Sequence, residues 1–196
     1  MSESITPQSL TPSEILLLHA EAWAGPGASA EENIALLRPG KAASAPQLAE
    51  MLLAAAFLAN EEARGLELEM FPYENSVSGE RGMGLTINPG EDVPDWPAHS
   101  LEFHVWRLMA QGDSCVADVV YDLIQETPQP AHAVVRFTAK SFEPPRAETV
   151  ADLDRFAGLI PLDPVSGLLQ RTSQERPALW AELFSEIRLG LDQCKS

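Results

Sequence analysis

The chain has 196 residues, enough for a domain with a full core, and 45% of them are hydrophobic, with no run of about 18 apolar residues that would span a bilayer. Twenty-nine acidic residues against thirteen basic ones give a formal net charge of −16, a field that opposes nucleic acid and anionic membranes and suits a partner with a basic surface. The two cysteines, Cys115 and Cys194, lack the spacing of a disulfide framework or metal site, and Met1 to Gln8 is polar, without the basic residues of a secretory signal or transit peptide. A reduced, cytoplasmic setting is the expectation.

The first helix opens at Thr11-Pro12-Ser13-Glu14, just before the apolar run Ile15-Leu16-Leu17-Leu18. Thr11 and Glu14 fit a reciprocal capping box, and Pro12 lacks an N–H where the helix has no acceptor for one. His19, beside Leu16, is expected at the edge of the core. After Gly25-Pro26-Gly27, a loop with one helical turn at Ile34-Ala35-Leu36-Leu37 ends at Pro39-Gly40. Ser44-Ala45-Pro46-Gln47 repeats the helix-start signal, and the second helix is expected to stop at Gly65. Its stripe of Leu48, Met51, Leu52, Ala55, Leu58 and Ala59 is joined by Leu53, Ala54, Ala56 and Phe57. A helix apolar on nearly every side is buried on every side, which predicts the central helix of the fold.

Leu66, Leu68 and Met70 alternate with Glu67 and Glu69, and Met83, Leu85 and Ile87 alternate with Gly82, Gly84 and Thr86. This period of two predicts a hairpin, with a long tip from Pro72 to Arg81. An acidic connector, Pro89 to Pro97, leads to a third helix expected from Pro97 to Gln111 with Asp95 as its N-cap. Asp113 or Ser114 is expected to cap a fourth helix carrying Val116, Val119, Val120, Leu123 and Ile124, closed by Thr127-Pro128-Gln129-Pro130. Ala133 to Phe142 reads as strand or helix. Thr149 to Phe156 and Ser173 to Leu191 read as helices, the last with Leu179, Leu183, Phe184, Ile187 and Leu191 on one face. The sum is a mainly α chain with a small β-hairpin, taken as a single domain over 1–196. A helix–helix–hairpin, winged-helix-like half (10–90) packs on a helical half (95–192).

Catalytic signatures are missing: there is no nucleophile elbow, phosphate-binding loop, His-Glu-x-x-His or Cys-x-x-Cys, and Gly79 to Gly84 reads as turn chemistry. Asp95, His99 and Glu102 would share one face of a helix extended back to Asp95, where they could hold a divalent cation. Pro97 opposes that extension, which leaves His99 and Glu102 as the metal candidates. Trp96, Phe103 and Trp106 form an aromatic group outside the helical stripe, suited either to anchoring a partner or to packing on the hairpin or last helix. His104 is expected to be a partly exposed helix residue. Cys115, near a helix start, reads as a thiol of lowered pKa or as a small buried residue. The favoured reading is a non-enzymatic acidic adaptor or regulatory protein, without cofactor, that binds a basic protein partner and dimerises through the aromatics or the last helix. A metal-dependent enzyme and a winged-helix DNA regulator are the alternatives.

The run from Leu10 to Leu18, the Leu/Ala-rich second helix and Leu66-Glu67-Leu68-Glu69 resemble the opening of the Golgi phosphoprotein family and its bacterial relatives. Leu101-Glu102 with Val116, Val119, Leu123, Ile124 and Glu126 is similar to the family's later helix pair. The resemblance implies a mostly helical adaptor that binds phosphoinositide head groups at membranes. Such a pocket needs a Trp and converging basic groups; Trp23, Arg64, Arg136 and Lys140 are the residues here that could serve. The chain departs from the family in having no Arg-x-x-Arg helix and no recognisable apolar membrane hairpin.

Overall fold

In the computed structural model, residues 10–19, 45–74, 79, 81–140 and 158–195 are described; Trp23, the Ile34–Leu37 turn, the Ser44 cap and the Thr149–Phe156 helix fall outside them. The elements are α1 (Pro12–Leu18), α2 (Ala45–Glu62), β1 (Leu66–Glu74), β2 (Arg81–Pro89), α3 (Leu101–Ala110), α4 (Val116–Ile124), α5 (Pro130–Ala139), α6 (Asp163–Glu175) and α7 (Pro177–Gln193). The fold is mainly helical with one two-stranded antiparallel hairpin.

As its composition predicts, α2 is the spine. Leu48, Leu52, Leu53, Phe57 and Leu58 are fully buried, and the helix packs against α1, α3, α5, α6, α7 and β1. Each such side chain contributes about 1.5–3 kcal/mol of burial, which outweighs any modest helix preference along the chain. The helix ends at Glu62, earlier than Gly65. Its left-handed residue is Arg64, at φ +58°, with the Gly65 N–H closing onto the Asn60 carbonyl at 2.8 Å. Gly65 serves a different need: a Cβ there would sit 2.2 Å from the Pro94 ring. The connector lies against the end of α2, with Gly90 N–H donating to Gly65 O and Asp92 N–H to Arg64 O.

The hairpin is longer than its alternation suggests. Pairing runs from Leu66↔Pro89 to Glu74↔Arg81, so the tip is shorter than Pro72 to Arg81. Beyond Met70 no hydrophobic alternation marks the strand, yet the Phe71 and Tyr73 rings lie over Gly84 and Gly82, 2.7 Å from where a Cβ would stand. Those two glycines therefore belong to the strand; Gly79, at φ +71°, is the turn glycine.

Helix α3 begins at Leu101 rather than Pro97. Ser100 is its N-cap, accepting from Phe103 N–H at 3.1 Å, while Asp95 stays exposed in the connector. The N-cap of α4 is Cys115, whose side chain makes no capping bond; neither Asp113 nor Ser114 takes that position. Ser114 instead offers its carbonyl to Ile87 N–H and to the Thr86 hydroxyl, tying β2 to the α3–α4 loop. Gln125, at φ +58°, ends α4 before the expected Thr127-Pro128 stop. Of the ambiguous 133–142 stretch, residues 133–139 are helical within α5, with Val134, Val135, Thr138 and Ala139 buried at helical spacing. The last helix divides in two. Pro177 cannot continue the hydrogen-bond ladder, and it holds Arg176 out of the helical region at φ −130°, ψ 56°.

Helices α4 and α7 run side by side in the same direction: Cys115 meets Glu186, Ala117 and Val120 meet Gly190, and Thr127 N–H reaches Cys194 O. A Cβ at Gly190 would come within 2.6 Å of the Ala117 carbonyl, so the absence of a side chain sets this approach.

Candidate functional site

The polar residues of the α1 start do more than cap their own helix. Thr11 N–H donates to Glu14 Oε2 at 3.0 Å, completing the capping box read from the sequence. The next free donor, Ser13 N–H, is taken by Glu102 Oε1 at 2.7 Å, and the Ser13 hydroxyl donates to Glu102 Oε2 at 3.0 Å. Glu102 is thus a cap supplied from α3, and the positive end of a short helix faces a buried carboxylate. Burial pushes the Glu102 carboxyl above its ordinary value; hydrogen bonds from Ser13 and Thr11 pull the other way, and the nearby Glu14 charge adds to the rise. His99 Nε2 stands 3.4 Å from Glu14 Oε1, half exposed beside a fully buried acid.

Asn60 anchors the opposite side of α3. Its amide donates to Ala56 O at 2.9 Å and to Glu102 O at 3.0 Å, and its carbonyl oxygen accepts the Trp96 indole N–H at 2.8 Å. One polar side chain inside the greasy spine therefore joins α2, α3 and the connector. The sequence signal for it is an Asn directly after the apolar run Met51–Ala59, a residue the sequence alone did not mark as functional.

These contacts give the metal candidates His99 and Glu102 separate partners. Asp95, His99 and Glu102 do not share a helical face, because the helix starts after His99. Both Glu102 oxygens accept from Ser13, while His99 faces Glu14. Among the described residues, no group of three or more His, Cys, Asp or Glu could hold a metal ion. Trp96, Phe103 and Trp106 are each half-buried rather than free on the surface. Trp106 packs against the core beside Gly65, and Phe103 makes ring contacts with Trp106 and His104, which in turn meets Phe137 edge-on at 5.0 Å. Burial, then the Arg107 charge, holds the His104 imidazole below its ordinary pKa. His19 Nε2 meets Ile160 O at 2.7 Å, as expected of a core-edge histidine.

Of the lipid candidates, Arg64 pairs with Glu91 and Asp92 of the connector. Arg136 and Lys140 are exposed and one turn apart at the end of α5.

The surface charges fall into two sets. Along α2, Arg188 holds Glu50 at 2.9 Å, Arg176 holds Glu61 at 2.7 Å and Arg171 holds Glu62 at 2.8 Å. Arg176 also donates to Leu68 O at 3.1 Å, and Arg188 lies over the Phe184 ring. Across α4 and α7, by contrast, Asp113, Asp118, Asp122, Glu182 and Glu186 form no ion pair with any Lys or Arg among the described residues. Partial burial raises the Asp113 carboxyl, with the Asp122 and Asp118 charges adding to it. Glu182 is raised by partial burial and by Glu186. Glu186 accepts the Cys115 thiol at 3.2 Å, and burial and that bond push the thiol above its ordinary pKa, so this is no activated nucleophile.

No known family model, curated protein or solved structure matches the chain.

Proposed function

We propose that the protein acts by binding rather than by catalysis, presenting the α4–α7 carboxylate face to a lysine- or arginine-rich segment of a partner protein. The observation that carries this reading is two groups of carboxylates, Asp113 with Asp118 and Asp122 at α4 and Glu182 with Glu186 on the adjoining α7, each crowded by its own members and without a Lys or Arg partner among the described residues. A cationic segment arriving there relieves like-charge repulsion, and the net charge of −16 steers it inward. The aromatic group at Trp96, Phe103 and Trp106 then has an internal task, holding the connector and α3 to the spine.

Anisotropy of a labelled oligo-lysine peptide tests the proposal. Asp118→Lys combined with Asp122→Lys should weaken binding by about tenfold or more, and binding should fall steeply with salt. Unchanged affinity in that variant would remove the face from consideration. A phosphoinositide reading draws instead on Arg136 and Lys140. Flotation with phosphoinositide vesicles that is lost in Arg136→Glu would favour it over a protein partner.

A further inference from the structure

Resting on that reading of the acidic face, we propose that the outer face of the hairpin is a second part of the docking surface, one that selects arginine over lysine in an extended partner segment. The antiparallel register places Glu67, Glu69, Phe71 and Tyr73 side by side on this face, opposite Asn88, Thr86, Gly84 and Gly82. Phe71 and Tyr73 remain 41% and 49% exposed although each ring rests on a glycine. One side of each ring is therefore covered by strand backbone and the other is open. Two rings next in line to two carboxylates, of which Glu69 already accepts from Asn88 at 2.9 Å, suit a planar guanidinium, which can stack on a ring and donate to the neighbouring acid. A lysine ammonium is a compact, strongly hydrated charge and gains less from the same surface.

The spacing fits an extended ligand. Alternate residues of a strand stand about 6.5–7 Å apart, and the same interval separates Glu67, Glu69, Phe71 and Tyr73 along β1. The ledge also adjoins the helical face. Thr86, on the same side of the hairpin, donates its hydroxyl to Ser114 O, one residue from Asp113 and one from Cys115 with its bond to Glu186. Charge decides the occupant: an anionic membrane would meet Glu67 and Glu69, and a second copy would bring the same glutamates against themselves. A basic segment is the complementary one.

The test compares labelled oligo-arginine and oligo-lysine peptides of equal length on the full chain. Oligo-arginine should bind about tenfold more tightly. Phe71→Leu with Tyr73→Leu keeps an apolar cover over the glycines but removes the π faces. It should cost arginine affinity most of its tenfold advantage and lysine affinity much less, so that the two peptides bind nearly alike. Equal affinities in the unaltered protein, or an arginine preference that survives the leucine variant, would overturn the ledge. So would anionic-vesicle flotation, or a dimer seen by light scattering, that disappears in the leucine variant. If Asp118→Lys with Asp122→Lys leaves both peptides bound as before while the arginine preference still depends on Phe71 and Tyr73, the helical face fails and the hairpin alone stands.

Discussion

Along the outer edge of α2, Glu50, Glu61 and Glu62 each meet an arginine from the C-terminal helices or their join, whereas Asp113 is crowded by Asp118 and Asp122, and Glu182 by Glu186. Both sets are carboxylates on helix surfaces of one acidic chain. The first set ties together segments 109 to 138 residues apart in sequence and therefore helps hold the fold. In the second set no arginine ties one segment to another, and only Glu186 bridges two helices, through the Cys115 thiol. This set is carried by the close packing of α4 on α7, and the electrostatic strain it adds is tolerated because that packing is apolar and tight. A net charge thus has two components in this molecule, one neutralised in place and one left facing outward.

Breaking the scaffold under the open face should have the largest effect. Gly190→Val puts branched atoms against the Ala117 carbonyl and Val120, and forcing α4 from α7 should cost about 3 kcal/mol, read as a lowered urea midpoint. A midpoint that stays put would show that the two helices are not held at this contact.

Glu102 represents a third situation, a carboxylate buried rather than clamped or open. Glu102→Ala strips the Ser13 N–H and hydroxyl of their acceptor and should destabilise by about 1–3 kcal/mol. Its pKa is raised in the fold, so the native state holds the proton more tightly than the unfolded chain. Stability from this group is complete below the ordinary value of 4.5 and is lost as pH rises through the folded value. Glu102→Gln should flatten that fall in thermal melts run across the acid range, and an unchanged slope would assign the pH dependence elsewhere.

Charge reversal sharpens the contrast between the two surfaces directly. Glu61→Lys loses the Arg176 pair and should destabilise by up to about 1 kcal/mol, while Asp118→Lys should stabilise by roughly 0.3 kcal/mol. Effects of the same sign in both variants would erase the distinction. The smallest effect is expected from Asp118→Asn. Asp113 and Glu182 also have raised values, so their contributions likewise decline as pH rises above the ordinary carboxylate range. Removing the Asp118 charge should lessen that decline slightly, measured against the unaltered protein at low salt, and added salt should shrink the difference.

Much of the architecture was legible because it is written in short-range pattern. Pro12 and Glu14 announce α1, and the run from Leu48 to Ala59 announces a helix buried all round. The alternation at Leu66 and Leu85 announces the hairpin, though not its full length. Helix ends were read less well. Ser100 replaced Asp95 as a cap, and the second helix stops at Glu62, with Arg64 left-handed, rather than at Gly65. In both places the connector decides the matter, since Pro94 lies on Gly65 and Trp96 is drawn to Asn60. The sequence offered His99 and Glu102 as a pair because they are near in number, yet each found its partner in α1.

Composition and periodicity alone determined that this chain is acidic, mainly helical and built on one apolar spine, because those properties depend on residue type and on neighbours within a few positions. Which carboxylates are buried, which are clamped by arginine and which are left open was decided only by the tertiary structure. A charged side chain takes its partner from whatever element packs beside it, and that element lies 89 residues away for Glu102 and 138 for Glu50.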